Sequence, residues 1–236
     1  MGSGTIADSM STPALHVRNL AFTHRERGGT GFTLTLPDLR LEPGEQILVV
    51  GSSGSGKSTL LQLIAGLIDP DAGEILVGDR DIHAMGGAAR DRFRGRSIGM
   101  IFQTFNLLDG FSARENVLTA LMFSDIPARE HGARADDLLA SLDIERPDAT
   151  PDRMSVGQQQ RVAVARALAC RPGLVLADEP TASLDPENAE NAVKLIRECC
   201  AREGAALLLT SHDPQLRASF DRIEDLEAGS RSEAVS

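Results

Sequence analysis

The sequence predicts an α/β protein in which a largely parallel sheet is interrupted by a helical insert. Three observations carry this. The apolar run Gln46-Ile47-Leu48-Val49-Val50 leads directly into Gly51-Ser52-Ser53-Gly54-Ser55-Gly56-Lys57-Ser58, which fits the phosphate-loop pattern GxxxxGK[ST] at every fixed position. Strand and helix patterns alternate after Ser155, as the layers of an α/β core require. From Gln103 to about Arg153 the periodicity is helical.

Taken in order, Leu15 to Phe22 and Phe32 to Leu36 read as strands, the second because Phe32, Leu34 and Leu36 alternate with threonines. Gln46–Val50 is a buried strand, and Lys57 to Ala65 a helix closed by Gly66. Glu74–Val77 and Ile98–Phe102 are short strands. Ser112-Ala113-Arg114-Glu115 is a capping box opening a helix that carries Val117, Leu118, Leu121 and Met122; a second helix runs from about Ala128 to Leu142. Beyond Ser155 come a helix to Ala169, a strand Leu174–Ala177, a helix Pro186–Glu203 and a strand Ala205–Thr210. One domain over 14–230 is expected, with the insert at about 104–160 and loose polar tails at 1–13 and 231–236.

Composition excludes several classes. The chain has 236 residues, 42% hydrophobic and 25% charged, which is ordinary globular make-up. Its formal net charge of −10 argues against a nucleic-acid partner, since phosphate-backbone binders show a basic face. Cys170, Cys199 and Cys200 have no metal-type spacing and read as buried or idle thiols of a reducing compartment. No run approaches the roughly 20 apolar residues of a membrane span. The polar stretch Met1 to Pro13 has no apolar signal core, so a cytoplasmic location is expected.

The chemistry concentrates at three places. In the first, Gly51, Ser52, Ser53, Gly54, Ser55, Gly56, Lys57, Ser58 and Thr59 are the expected contacts of a nucleoside triphosphate. Backbone NH groups close on the β-phosphate, Lys57 reaches the β/γ oxygens and the Ser58 hydroxyl ligates Mg²⁺, with the positive end of the following helix aimed at the phosphates. The second is Asp178-Glu179, at the end of an apolar strand. A nucleotide hydrolase needs one carboxylate for the cation's shell and another to orient the attacking water, and the pair divides these roles. The third is Ser155, a helix N-cap completed by Gln158 three residues on, which makes the free NH groups of that helix an anion site.

The third place also identifies a family. Met154-Ser155-Val156-Gly157-Gln158-Gln159-Gln160-Arg161 resembles the LSGGQ signature of the ABC ATPases, the nucleotide-binding domains of ATP-binding cassette transporters. The resemblance runs from about Leu15 to Gly229 and includes Gln103 as the Q-loop, Ala182-Ser183-Leu184-Asp185 as the D-loop and Ser211-His212-Asp213 as the switch-histidine region. It implies an N-terminal antiparallel β-subdomain and a helical signature subdomain. It also implies ATP and Mg²⁺, with Glu179, His212 and Gln103 in catalysis and Ser58, Gln103 and Asp178 around the metal. Ser155, Gly157, Gln158 and Asp185 would complete a nucleotide site across an interface with a second copy, or with a homologous subunit. Val156 stands where the family has the first signature glycine, and His24 where it has the ring that stacks on adenine.

Within the family, Phe102-Gln103-Thr104-Phe105-Asn106-Leu107-Leu108, followed by Phe111 to Val117, is similar to the lipoprotein-release, macrolide-export and FtsE-type cell-division ATPases, with Asp109 in place of a common proline. This implies a separate membrane permease as partner, docked near Phe105, Leu107, Leu108 and Phe111. The chain would then sit peripherally on the inner face of the plasma membrane. Two other readings are a force transmitter that moves no cargo and a soluble ATPase of DNA repair or translation. The second would call for a coiled-coil insertion, tandem cassettes or a basic face, none of which the sequence has.

Overall fold

The computed structural model describes residues 12–24, 31–182, 184, 186–226 and 231–232. In chain order the elements are β1 (Leu15–His24), β2 (Gly31–Leu41), β3 (Gln46–Val50), α1 (Lys57–Ile64), β4 (Ala72–Val77), β5 (Arg80–Asp81), α2 (Gly87–Ser97) and β6 (Ile98–Ile101). Then follow α3 (Ala113–Leu121), α4 (His131–Ser141), α5 (Val156–Leu168), β7 (Leu174–Asp178), α6 (Pro186–Glu203), β8 (Ala206–Ser211), β9 (Arg222–Asp225) and β10 (Arg231–Ser232).

The strands divide into two five-stranded sheets, ordered β10-β2-β1-β4-β5 and β6-β7-β8-β3-β9. Every pairing in the first is antiparallel. Every pairing in the second is parallel. The central parallel strands β3, β7 and β8 read as near-continuous apolar runs because both of their faces are covered. On β3, Leu48 and Val50 pack into a core shared with α3, α4, α5 and α6, while Ile47 and Val49 face a second core formed with α1 and the antiparallel sheet. Strands β7 and β8 divide the same way, Val175 and Leu207 to the first core, Leu174 and Leu208 to the second.

The antiparallel sheet contains one deliberate irregularity. Strand β1 slips register against β4 between Arg18 and Ala21, with Asn19 in the left-handed region at φ 47°. Gly73 (φ 100°) permits the bulge, because a Cβ there would lie 2.6 Å from the carbonyl oxygen of Asn19. The bulge changes which face is buried: Leu15 and Val17 before it are replaced by Leu20 after it, and on β2 Leu34 gives way to Leu39 and Leu41. The β1–β2 register runs unbroken past the bulge and places His24 and Phe32 opposite one another at the end of this pair.

Several elements differ from the sequence reading. Strand β2 continues through Pro37 to Leu41, and α2, β5 and β9 were not foreseen. Helix α2 has no fully buried residue, and β9 is the charged run Arg222-Ile223-Glu224-Asp225, so neither carries apolar periodicity. The helix read over Ala128 to Leu142 begins as a 3₁₀ turn, Ala128–Glu130, before α4. Arg231 and Ser232, read as part of a loose tail, pair with Phe32 and Gly31.

Candidate nucleotide site

Four of the expected segments leave the parallel sheet at its carboxyl edge. The phosphate loop follows β3, Gln103 follows β6, Asp178 and Glu179 end β7, and His212 follows β8. These four strands lie side by side, so loops far apart in sequence meet where ligands of open α/β sheets bind. The result is a cleft of about 480 Å³ lined by the phosphate loop, Gln103, Glu179, His212 and Phe32.

Inside it the charged groups are already paired. Lys57, only 5% exposed, places Nζ 3.1 Å from Glu179 Oε1 and donates to the carbonyls of Gly51 (2.8 Å) and Ser52 (3.1 Å). The other oxygen of Glu179 accepts from His212 Nδ1 at 2.7 Å, which assigns that proton to Nδ1. Glu179 itself has φ 42°, unusual for a non-glycine residue, and its NH donates to the carbonyl and Oγ1 of Thr210, both at 3.2 Å. Asp178 Oδ1 accepts from Ser58 Oγ (3.1 Å) and Thr210 Oγ1 (3.0 Å), bringing together the two side chains expected to share a cation. Asp178 and Glu179 thus face different partners.

The loop fits a phosphate group. Ser55 Oγ is the one buried side-chain polar atom without a hydrogen-bond partner among the described residues. Gly56 caps α1 at φ 96°, where a Cβ would approach the Phe32 ring to 3.1 Å, so the backbone passes closely beneath the aromatic wall. The NH groups of the first turn of α1 open toward the loop. The Ser58 hydroxyl and Asp178 carboxylate form a hard oxygen pair suited to Mg²⁺, which takes few protein ligands when phosphate oxygens complete its shell. Among the described residues no group of three or more His, Cys, Asp or Glu side chains forms a metal cage. The thiols stay outside the chemistry: burial pushes Cys170 up to about 11 and Cys200 to about 12.

Phe32 is the residue that sequence reasoning missed. Its alternation with threonines marks it only as a strand position, and the sequence points to His24 as the stacking ring. In the structure Phe32 lines the cleft and the exposed His24 ring stacks on it, centroids 5.7 Å apart at 30°. Only the cross-strand register of β1 and β2 puts the two together, and no local pattern reveals that pairing.

The signature residues lie elsewhere on the surface. Ser155 caps α5, accepting from the Gln158 NH (3.2 Å), while Gln158 Oε1 accepts from the Ser155 NH (3.0 Å). Ser155, Val156 and Gly157 border a separate depression with Gln160 and Leu184, which shares no residue with the phosphate cleft. A Cβ on Gly157 would meet nothing within 4 Å, and Val156 is 49% exposed. Asp185 and Ser183 of the D-loop lie outside the described residues.

A phosphate loop on a parallel sheet, with a histidine after the neighbouring strand and an acidic pair at the end of the strand beyond it, defines a phosphate-loop nucleotide hydrolase. The chain belongs to the ABC transporter family, whose profile matches residues 34–182, and it is an ATP-binding, ATP-hydrolysing cassette of that family. It is 41% identical to the lipoprotein-releasing system ATP-binding protein LolD of Chromohalobacter salexigens over 93% of each chain. With LolD 1 of Rhodospirillum rubrum it shares 43% identity, over 83% of this chain and 87% of the relative. A bacterial ABC transporter cassette solved as a dimer superposes with a TM-score of 0.79 at 31% identity, covering 93% of this chain and 97% of that one. A dimeric cassette in a post-hydrolysis state bound to ADP and Pi gives 0.76 at 30% identity, covering 94% and 99%.

Proposed function

We propose that this chain is the ATPase subunit of a lipoprotein-releasing transporter, and that two copies close on ATP to drive a separate permease. The observation that carries the dimer is the separation of the signature cap from the phosphate cleft. An open helix N-terminus with Gly157 free of neighbours is an anion site that its own chain leaves unfinished. The relatives named as lipoprotein-releasing ATPases support the choice of transporter, since their similarity spans nearly all of both chains. Among the described residues no helix is long and apolar enough to cross a membrane. With a permease as its partner, the chain would sit on the inner face of the plasma membrane, a reading supported by its similarity to transporter ATPase subunits. Leu108 and Phe111, 41% and 45% exposed beside the Gln103 turn, are apolar surface suited to the permease's cytoplasmic contact.

In the proposed mechanism Ser58, Asp178 and Gln103 would hold Mg²⁺, which would supply charge neutralisation to the triphosphate. Lys57 exchanges Glu179 for those oxygens. That leaves the Glu179 carboxylate, still held by His212, to take the proton of the attacking water. His212, which lines the cleft, fixes the carboxylate's orientation through Nδ1. Phe32 covers the phosphate loop and offers an apolar face to a base.

The test is reconstitution of the chain with its permease in vesicles carrying a lipidated protein. ATP-dependent release of that protein into solution is expected, and its loss with Glu179→Gln. An ATPase that turns over in the vesicles while every lipidated protein stays membrane-bound would remove lipoprotein release from the reading.

A further inference from the structure

The signature helix is fastened at its far end to the turn that carries Gln103. Arg166, in the last turn of α5, sends Nη2 to the carbonyl of Phe105 at 2.6 Å and Nη1 to the carbonyl of Asn106. Those two residues are consecutive non-glycines in the left-handed region, at φ 57° and 47°. Such a pair persists only where surrounding contacts enforce it. Local bonds contribute, with the Asn106 NH to the Thr104 carbonyl (2.6 Å) and Thr104 Oγ1 to Asn106 Oδ1 (2.7 Å), yet the carbonyls of the strained pair are gripped from α5. Phe105 is buried at 6% exposure, and burial pulls the Arg166 guanidinium below its ordinary pKa, so the fork works in a partly dry setting.

Helix α5 has 13 residues, and the Ser155 cap and the Arg166 grip lie about 16 Å apart along its axis. Midway, buried Gln160 donates to the carbonyl of Pro180 at 3.2 Å, one residue beyond Glu179. A single rigid element thus touches the Gln103 turn, the segment after the catalytic carboxylate and the anion-binding cap.

We propose that Arg166 is a positioning residue for hydrolysis: by clamping the Phe105 and Asn106 carbonyls it makes α5 and the Gln103 turn move as one body, so that the signature cap follows Gln103. This rests on the reading of Gln103 and the Ser155 cap as parts of one composite ATP site. The guanidinium's two-pronged geometry is what the role requires, because a single point charge cannot hold two carbonyls in fixed relation.

The experiment is a double-mutant cycle on ATP turnover, with Arg166→Lys, Gln103→Ala and the pair, together with ATP affinity and thermal stability of each protein. Arg166→Lys is expected to lower kcat about tenfold while ATP Kd stays within twofold, and to add no further loss in the Gln103→Ala background. Arg134→Lys serves as the structural control. Arg134 is another arginine fork, joined to Glu203 (2.6 Å) and to the Leu168 carbonyl (3.0 Å), but it does not touch the Gln103 turn. It is expected to lower the melting temperature and leave kcat near the parental value. Losses that multiply in the double variant would overturn the clamp, as would equal kcat losses from Arg166→Lys and Arg134→Lys. Parental turnover in Gln103→Ala alone would instead remove Gln103 from the site, and the clamp with it. The two failures are therefore distinguishable.

Discussion

The phosphate cleft and the signature cap both lie at helix N-termini, yet the side chains of the first are paired in advance and the second is exposed. In the cleft, Lys57, Glu179 and His212 form a continuous chain of contacts, and Ser58 and Asp178 are already joined. At the cap, Ser155 and Gln158 satisfy one another, and Gly157 faces nothing. Side chains fixed in advance suit chemistry, since groups held in place do not reorganise at the moment of reaction. An exposed cap suits reversible closure by a second chain. Substitutions in the cleft should therefore act on each copy alone, and substitutions at the cap should act through assembly.

The largest expected effect separates these two most cleanly. Glu179→Gln should slow hydrolysis by roughly 10² to 10⁴, the scale for losing a general base, with ATP affinity retained. ATP should then hold two copies together on a sizing column. Parental turnover would displace Glu179 from its role, whereas a monomer at saturating ATP would leave that role standing and undo the composite site.

Lys57→Ala should weaken ATP binding by roughly ten- to a hundredfold in calorimetry, since a charge-assisted contact worth about 1.5 to 3 kcal/mol is removed. It also strips Glu179 of one of its two partners. Unchanged affinity would mean that the lysine serves only that ion pair. At the cap, Ser155→Ala should cost about 1 kcal/mol of stability, a shift of about 2 to 4 °C in melting temperature. Turnover should fall on the order of tenfold through loss of the anion contact. In the proposed composite site the cap serves the partner's nucleotide, so an equimolar mixture with a Lys57→Ala protein, whose own cap is intact, should recover part of the activity. No recovery at any mixing ratio would make the cap a purely local support.

The two regions also differed in how far their roles could be read from sequence. Capping at Ser112 and Ser155 is a matter of residues three apart, and both boxes form as read. Helix α6 runs from Pro186 to Glu203, the bounds read from the sequence. Phe32 against His24, by contrast, depends on the cross-strand register of β1 and β2, and the Arg166 grip joins residues sixty apart. Helix α2 holds its place by arginines rather than by an apolar stripe: Arg90 pairs with Asp69, and Arg94 donates to the carbonyls of Ala65 and Gly66. Local rules read what is local. Register, bulges and long arginine reaches are set by tertiary packing.

The smallest expected effect probes the open region directly. Val156 is the first residue of α5, and its half-exposed side chain stands beside the vacant space around Gly157. Its own chain does not crowd it, so any steric penalty falls on the closed pair. Crowding in a packed interface costs roughly 1 to 3 kcal/mol, which would keep turnover by the isolated chain low until the permease supplies closure energy. Val156→Gly relieves that crowding but loosens the helix start by about 0.5 to 1 kcal/mol. Relief should prevail, with basal ATPase activity rising several-fold and the melting temperature slightly lowered. The rise should require concentration, growing where dimers form and vanishing at high dilution, because the change acts between copies. Equal or lower activity in a folded Val156→Gly protein would show that the interface accepts valine without strain. The open cap would then owe any low basal rate to another part of the interface, and mixing with the Ser155→Ala protein would no longer distinguish the two half-sites by this residue.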